Sequence, residues 1–273
     1  MDHDWLVKMI EQRVDDKATI GLIKKWLKIG VLEEDGNVSH PQAGSPQGGI
    51  ISPVLSNIYL HFALDLWFEN VVAKNCRGEA RIIRFADDFV CLFEYKHEAL
   101  GFEPILKERL GKFSLEVAEE KTQVLMFSWK GGKHNGKFDF LGFEFRRGRN
   151  KRGISVVQRR TSRKKLQRAI VDLGQWIKTH RCLPTRTLIT KVKQKLQGHA
   201  AYYGMSGNSA SLSTFYYELN KRLFKWLNRR SQRKSLTWKA YNRLIHKHGI
   251  KCPKARPRGF VQLELELDYV KFW

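Results

Sequence analysis

The chain has 273 residues, of which 42% are hydrophobic, and this is enough to bury one large or two ordinary hydrophobic cores. Fifty Lys and Arg residues against 27 Asp and Glu residues give a net charge of +23, which predicts a polyanionic partner, either nucleic acid or an anionic membrane surface. The apolar runs are short and broken by charges, none approaches the roughly 20 residues of a membrane span, and no signal-like segment opens the chain. We therefore expect a soluble, cytoplasmic protein without a membrane partner.

The positive charge belongs to the C-terminal part of the sequence. Residues 1–100 carry 11 basic and 15 acidic side chains, whereas residues 101–273 carry 39 basic and 12 acidic ones. The run 146–165 contains ten Lys or Arg residues and no acidic residue. We predict a domain over residues 1–145 and a second one over residues 146–273, which opens with this run as a basic linker.

The first of these parts is predicted to begin with helices. Apolar residues at helical spacing predict helices over 3–14 and 18–30. After a Gly- and Pro-rich loop, Ser52 can cap a helix and Pro53 can occupy its first turn, which predicts a helix to about residue 69.

A β-hairpin with two carboxylates at its tip is predicted next. Two β-branched and aromatic runs, 81–85 and 89–93, flank Asp87 and Asp88. Further along the chain we expect a helix over 97–110 and strands near residues 115–118, 122–127 and 138–145.

Beyond residue 165 the chain is predicted to be helical. From Leu166 onward, apolar residues recur every three or four positions, which predicts three or four amphipathic helices with Lys and Arg on their outer faces. The predicted fold class is therefore α+β, with a sheet-containing part followed by an all-α part.

Adjacent carboxylates at a hairpin tip repel each other unless a cation neutralises them. Mg²⁺ prefers hard oxygen ligands and takes one or two protein carboxylates, which leaves positions for water and phosphate. An isolated Asp-Asp pair is more often an ordinary solvated turn, so the interpretation of Asp87 and Asp88 depends on the surrounding motifs.

Two of these motifs resemble those of group II intron reverse transcriptases. Residues 85–88 read FADD, and residues 44–60 read GSPQGGIISPVLSNIYL at a fitting distance upstream. The resemblance implies a partial polymerase palm of the right-hand reverse transcriptase fold, with Asp87 as the principal Mg²⁺ ligand and Asp88 as the auxiliary one. It also implies that the residues beside the incoming dNTP and its templating base are Gln47, Gly48, Phe85 and Ala86.

Two later segments are similar to further motifs of the family. Residues 119–122 read EEKT, and the resemblance implies that Lys121 lies near the triphosphate and assists the leaving pyrophosphate, with an ordinary surface lysine as the alternative. Residues 138–145 read FDFLGFEF, which alternates like one half-buried strand and resembles the primer grip, with Leu141 and Gly142 holding the 3′ end.

The basic part is similar to the thumb and maturase-specific domain of the same family. The supporting segments are LQGHAAYY at 196–203 and LFKWLNRR at 223–230. For Trp226 we favour helix packing over base contact, and His199 is interpreted as a core histidine. The resemblance, with the clustering of positive charge, predicts these RNA-binding residues: Arg159, Arg160, Arg163, Lys164, Lys165, Arg229 and Arg230.

The family pattern is incomplete at the N-terminus of this sequence. Its third catalytic carboxylate and its fingers subdomain would fall upstream of Met1, and Asp2 and Asp4 match only the trailing part of that motif. We therefore expect an N-terminally truncated chain, by gene truncation, by a mis-assigned start or as a split protein completed by another fragment or a homodimer. The chain alone is expected to have negligible polymerase activity.

The function predicted first is RNA-directed DNA polymerase of a group II intron, with a maturase role in splicing. The expected partners are group II intron RNA, an RNA template with a DNA primer, and dNTPs, with Mg²⁺ as cofactor. The alternative is a catalytically inactive fragment that acts only as a basic RNA-binding maturase module. A third hypothesis is another reverse transcriptase lineage, such as the retron or diversity-generating enzymes.

Overall fold

The computed structural model describes residues 1–28, 31–32, 38–39, 44, 49–127, 136–150, 152–230, 236–256 and 269–272. The chain divides into two compact units, which we call unit 1 (Met1–Gly136 with Leu265–Trp273) and unit 2 (Lys137–Glu264). In the part of the chain that the structure describes, no helix has the length and apolar character that a membrane crossing requires. Small antiparallel sheets precede a helical C-terminal region, as the sequence predicts.

Unit 1 begins with the two predicted helices, α1 (His3–Glu11) and α2 (Lys17–Lys28). The Asp2 side chain caps α1 by accepting a hydrogen bond from the Trp5 amide at 2.9 Å. A short strand pair, β1 (Val31–Leu32) and β2 (Val38–Ser39), follows.

The third predicted helix is longer than expected and contains two wide turns. Helix α3 (Ser52–Leu60) has Pro53 in its first turn and continues into two π-helical turns at His61–Asp65 and Phe68–Val72. A last helical turn, α4 (Ala73–Asn75), ends the segment. Asp65 is the last residue of the first of these π-helical turns.

The central sheet of unit 1 contains the predicted hairpin, β3 (Ala80–Phe85) and β4 (Asp88–Phe93). Its strand order is β3-β4-β9-β5, where β5 is Gln123–Met126 and β9 is Tyr269–Phe272. Helix α5 (Lys96–Gly111) contributes Phe102, Leu106 and Leu110 to the core against β4. Strand β9 was not predicted, and it brings the C-terminal end of the chain back into the sheet of unit 1.

Two predictions about strands and one about a linker are wrong. Residues 115–118 do not form a strand. Residues 138–145 form a hairpin rather than one strand, because Leu141 and Gly142 adopt φ values of +50° and +78° and so reverse the chain. Much of the basic run 146–165 is β-structure and not a linker, because residues 143–149 pair with residues 155–161 in an antiparallel hairpin.

Unit 2 consists of a three-stranded sheet followed by a helical bundle. Strand β7 (Phe143–Arg149) lies between β6 (Lys137–Phe140) and β8 (Ser155–Thr161). The described helices are α6 (Arg163–Thr179), α7 (Thr185–Tyr203), α8 (Ser209–Asn228) and α9 (Trp238–Lys247). Their apolar faces meet in one core, in which the side chains of Ile177, Leu188, Ile189, Val192, Leu219 and Leu223 are fully buried.

His199 belongs to the core of unit 2, in agreement with its interpretation as a packing residue. Its ring stacks on Phe215 with 3.8 Å between ring centroids, and it lies 4.7 Å from the ring of Tyr203. Its Nε2 atom is buried without a hydrogen-bond partner. Burial penalises the imidazolium form, and this lowers the pKa of His199 to about 4.

The buried histidine makes the stability of unit 2 depend on pH. Because the folded-state pKa of about 4 lies below the ordinary value of 6.5, acidification protonates the unfolded chain first. The contribution of neutral His199 is fully present above pH 6.5 and is lost as the pH falls towards 4. We expect a loss of about 1 kcal/mol between pH 7 and pH 5 after allowing for solvent screening.

Urea unfolding at several pH values checks this expectation. The variant His199→Phe keeps an aromatic ring for stacking and should flatten the acid limb of the stability profile. The exposed His246, on α9, provides the control His246→Gln, which should leave the profile unchanged. An equally steep acid limb in His199→Phe would contradict this role.

Candidate functional site

The tip of the β3–β4 hairpin carries the predicted metal ligands. Phe85 pairs with Asp88 in the antiparallel register, so Ala86 and Asp87 form a two-residue loop. Ala86 has φ +54°, and Asp87 has no positive φ, as in a type II′ turn. The Asp87 and Asp88 side chains are exposed, and Phe85 is 65% exposed despite its aromatic ring. The turn thus presents two carboxylates and one aromatic face to solvent.

An arginine that the sequence interpretation assigned no role holds this tip in place. The Arg84 guanidinium makes a bidentate ion pair with Asp65, with Nε–Oδ1 and Nη2–Oδ2 distances of 2.7 and 2.6 Å. Its Nη1 atom donates to the Ala86 carbonyl oxygen and to Asn57 Oδ1, each at 2.9 Å. One side chain therefore ties the loop beside Asp87 to α3 and to its first π-helical turn.

The pair is well shielded, with 12% of the Arg84 side chain and 20% of the Asp65 side chain exposed. Bidentate geometry fixes the orientation of both groups, and a half-buried charge without its partner would be costly. The positive φ of Ala86 adds strain that the surrounding structure must offset. The signal in the sequence was an arginine directly between two apolar residues of the strand, with an aspartate late in the preceding helix.

The donor set at the tip suits a hard divalent cation. Asp87 and Asp88 supply carboxylate oxygens, and Mg²⁺ takes one or two such ligands and completes its shell with water and phosphate. Among the residues that the structure describes, no three His, Cys, Asp or Glu side chains gather to hold a metal ion. The carboxylate oxygens of Asp87 and Asp88 are of the donor type that Mg²⁺ prefers, and both side chains face solvent.

Three other residues are expected near a nucleotide, namely Gln47, Gly48 and Lys121. Gln47 and Gly48 lie outside the described residues. Nearby, Gly44 has φ +90°, and its carbonyl oxygen lies 2.7 Å from His3 Nε2. The backbone of Lys121 lies in a 3₁₀ turn, Glu119–Lys121, just before β5.

The residues expected to grip the primer form the tight turn between β6 and β7 in unit 2. The Tyr202 hydroxyl donates to the Leu141 carbonyl oxygen at 2.9 Å. A Cβ atom on Gly142 would lie 2.9 Å from the Tyr203 hydroxyl oxygen, so the close approach excludes a side chain. Leu141 at φ +50° is a strained choice for a branched residue. Two tyrosines of α7 therefore hold this turn in a fixed shape.

The predicted RNA-binding cations at the end of β8 and the start of α6 are arranged in two ways. Arg160 lies 3.4 Å from the Glu144 carboxylate across the β7–β8 pair. Arg163, Lys164 and Lys165 are exposed in the first turn of α6, which contains no acidic residue. Cations at a helix N-terminus are unfavourable because the helix dipole is positive there. A bound anion would relieve this repulsion.

Of the other three cations of the prediction, Arg159 lies in β8 opposite Phe145 of β7, and two follow the end of α8. Arg230 donates to the Thr185 hydroxyl and to the Leu183 carbonyl oxygen, each at 2.9 Å, and both of these partners are uncharged. The Arg229 guanidinium lies 5.5 Å from the centre of the Trp226 ring.

The ion pair between Arg84 and Asp65 can be tested with a double-mutant cycle. Arg84→Met and Asp65→Leu should each lower the free energy of unfolding of unit 1 by about 2 kcal/mol, because each leaves a shielded charge unpaired. The double variant should lose less than the sum of the two, by at least about 1 kcal/mol. The exposed pair Arg81–Glu79 is the matched control and should couple by less than about 1 kcal/mol. Additive losses for Arg84 and Asp65 would refute their role as a unit.

Comparison with known proteins places both units in one family. Residues 1–145 match the reverse transcriptase (RNA-dependent DNA polymerase) family, and residues 156–244 match the group II intron maturase-specific domain. The first match covers more than half of the chain.

Individual relatives agree with these matches. The chain is 26% identical to the group II intron-encoded protein LtrA of Lactococcus lactis subsp. cremoris, over 80% of this chain and 48% of that protein. It is 30% identical to protein YkfC of Escherichia coli K12, over 55% of this chain and 45% of that protein. The chain thus spans about half the length of these curated relatives. On the family matches, it belongs to the group II intron reverse transcriptases/maturases.

Proposed function

We propose that this chain supplies the palm carboxylates of an RNA-directed DNA polymerase in unit 1 and an intron-RNA-binding surface in unit 2. The observation that carries the proposal is the segregation of charge between the units. Residues 137–264 carry 32 Lys or Arg and five Asp or Glu, whereas the rest of the chain carries 18 and 22. A carboxylate site and a polyanion-binding surface have opposite electrostatic requirements, and each unit meets one of them.

In the polymerase part, Asp87 and Asp88 would hold Mg²⁺, which when bound neutralises charge on the transferring phosphate. Arg84 holds the loop that presents them. The exposed face of Phe85 and the backbone at Ala86 would contact the dNTP together with Gln47 and Gly48. Lys121 would assist the leaving pyrophosphate, and the turn at Leu141 and Gly142 would hold the primer.

In the maturase part, RNA would bind the cations at the end of β8, the first turn of α6 and the end of α8. Phosphate contacts of this kind give affinity without sequence specificity. We assign residues 1–145 to a partial palm and residues 146–273 to the thumb and maturase-specific domain. An intracellular location and group II intron RNA as the partner are parts of the same proposal.

The second candidate function is RNA binding alone, without polymerisation by this chain. The charge of +27 on residues 137–264 favours it, because electrostatic binding to RNA requires no metal site. The two candidates differ in one measurable property, which is primer extension.

A pair of variants should separate the two activities. Mg²⁺-dependent extension of a DNA primer on an RNA template is measured with this chain and with a version extended upstream in frame, and Asp87→Asn should abolish it in whichever form extends the primer. The same variant should bind RNA within about twofold of the parent, because it removes no phosphate contact. Extension that survives in Asp87→Asn would refute the metal-ligand assignment.

Neutralising the start of α6 should have the opposite effect. Replacing Arg163, Lys164 and Lys165 by Gln should weaken RNA binding and reduce the slope of log affinity against log salt by about 2. The same change at the exposed Lys17, Lys25 and Lys96 of unit 1 is the matched control and should have little effect. Equal losses in both triple variants would mean that only net charge matters. If neither this chain nor the version extended upstream extends the primer, RNA binding alone remains as the proposed function.

A further inference from the structure

A groove between α6 and α8 in unit 2 combines an apolar floor with a rim of cations. It encloses about 430 Å³, within the range of roughly 300–1,000 Å³ typical of small-molecule sites. We define the groove by the following residues: Val171, Gly174, Lys178, Lys221, Lys225 and Trp226.

A glycine of α6 and an ion pair of α8 shape the floor of the groove. A Cβ atom on Gly174 would lie 2.8 Å from Cδ and Nε of Arg222, so the arginine side chain lies directly across α6 at this point. Glu218, one turn earlier on α8, forms an ion pair with Arg222 and fixes it there. Val171 remains 52% exposed although it is apolar, and the ring of Trp226 is half-buried beside it.

Trp226 is surrounded by an unusual number of positive charges. The cationic groups of Lys178, Arg181, Lys225 and Arg229 lie 5.5–6.0 Å from the centre of its ring. A single cation near an aromatic face is favourable, but four of them repel one another.

The acidic residues of the two helices do not neutralise this cluster. Helices α6 and α8 contain one acid each, and both are engaged by their own helices: Asp172 by Arg168, and Glu218 by Arg222. Within the described part of the chain, no carboxylate forms an ion pair with Lys178, Lys221, Lys225 or the two arginines beside Trp226. The rim therefore has unbalanced positive charge around an exposed apolar floor.

We propose that this groove binds a nucleotide of single-stranded RNA, with its base on the floor beside Val171 and Trp226 and its flanking phosphates on the three lysines. The site rests on the proposed RNA-binding function and specifies how one part of that surface recognises its ligand. Phosphate alone would satisfy the lysines and leave the apolar floor exposed, whereas an unpaired base covers it. A duplex offers phosphates but no free base face, so the groove selects unpaired RNA.

Binding of a short oligouridylate, about 12 nucleotides long, tests the proposal. The control ligand is an abasic ribose-phosphate oligomer, which has the same length and charge but no bases. Replacing Lys178, Lys221 and Lys225 by Gln should weaken binding of the oligouridylate about tenfold more than replacing Lys191, Lys239 and Lys247, which are exposed lysines elsewhere in unit 2. With the abasic oligomer, the difference between the two triple variants should shrink to about twofold or less.

A second variant examines the floor without changing charge. Val171→Trp fills the groove and should weaken binding of the oligouridylate several-fold, while the salt dependence and the affinity for the abasic oligomer stay unchanged. In parallel, 5-iodouridine in the same RNA should photo-crosslink to Trp226 and not to Trp238, which is 50% exposed on α9 and serves as the internal control.

The outcomes distinguish this proposal from the function on which it rests. If the two triple variants behave alike with both oligomers, and Trp226 gives no crosslink, the groove is not a base-binding site although unit 2 binds RNA. If the unmodified chain binds neither oligomer, the RNA-binding function itself fails.

Discussion

Repulsion between cations is the constraint on which the architecture of unit 2 depends. With 32 basic and five acidic side chains over residues 137–264, like charges oppose compaction wherever they are brought together. The bundle meets this constraint by placing its fully buried aliphatic side chains along one seam and its Lys and Arg residues outside. Burial of apolar side chains offsets this repulsion and stabilises the folded unit. A bound RNA phosphate backbone would stabilise it further by neutralising the surface charge.

The opposite problem, repulsion between carboxylates, is met on a smaller scale at the β3–β4 tip. There no ion pair of Asp87 or Asp88 is found among the described residues, and Arg84 fixes the backbone that carries the two carboxylates. Arg84 forms an ion pair with Asp65 and donates a hydrogen bond to the Ala86 carbonyl oxygen. Its side chain therefore orients the loop, and its positive charge is balanced by Asp65. A carboxylate pair that is held in place and exposed to solvent is suited to share a divalent ion with a phosphate ligand.

Local patterns in the sequence were sufficient to predict the helices and the β3–β4 hairpin, because their signals lie within a few residues. Contacts between distant parts of the chain were not predictable in this way. Strand β9 pairs with β5 from about 145 residues away and with β4 from about 180 residues away, and no local pattern specifies such pairing. The strand predicted over 138–145 failed because two residues at positive φ reverse an alternating pattern without a strong turn signature such as Asn-Gly.

The candidate site was predictable to a similar extent. The motif containing Asp87 and Asp88 could be predicted, but the arginine that positions it could not, since its partner Asp65 lies 19 residues earlier in the sequence, in a π-helical turn. The groove at Trp226 was missed because its residues alternate with core residues of α6 and α8, and packing was the favoured interpretation for that ring. Packing is part of its role, yet the cations around it became visible only in three dimensions.

We propose above that the RNA affinity of this chain resides in unit 2. Brief acetylation of lysines in the chain without substitutions, carried out with and without RNA and quantified by mass spectrometry, tests this directly. We expect RNA to protect Lys164, Lys165, Lys178, Lys221 and Lys225, while Lys17, Lys25 and Lys96 of unit 1 react as before. Equal protection in both units, or protection confined to unit 1, would contradict it.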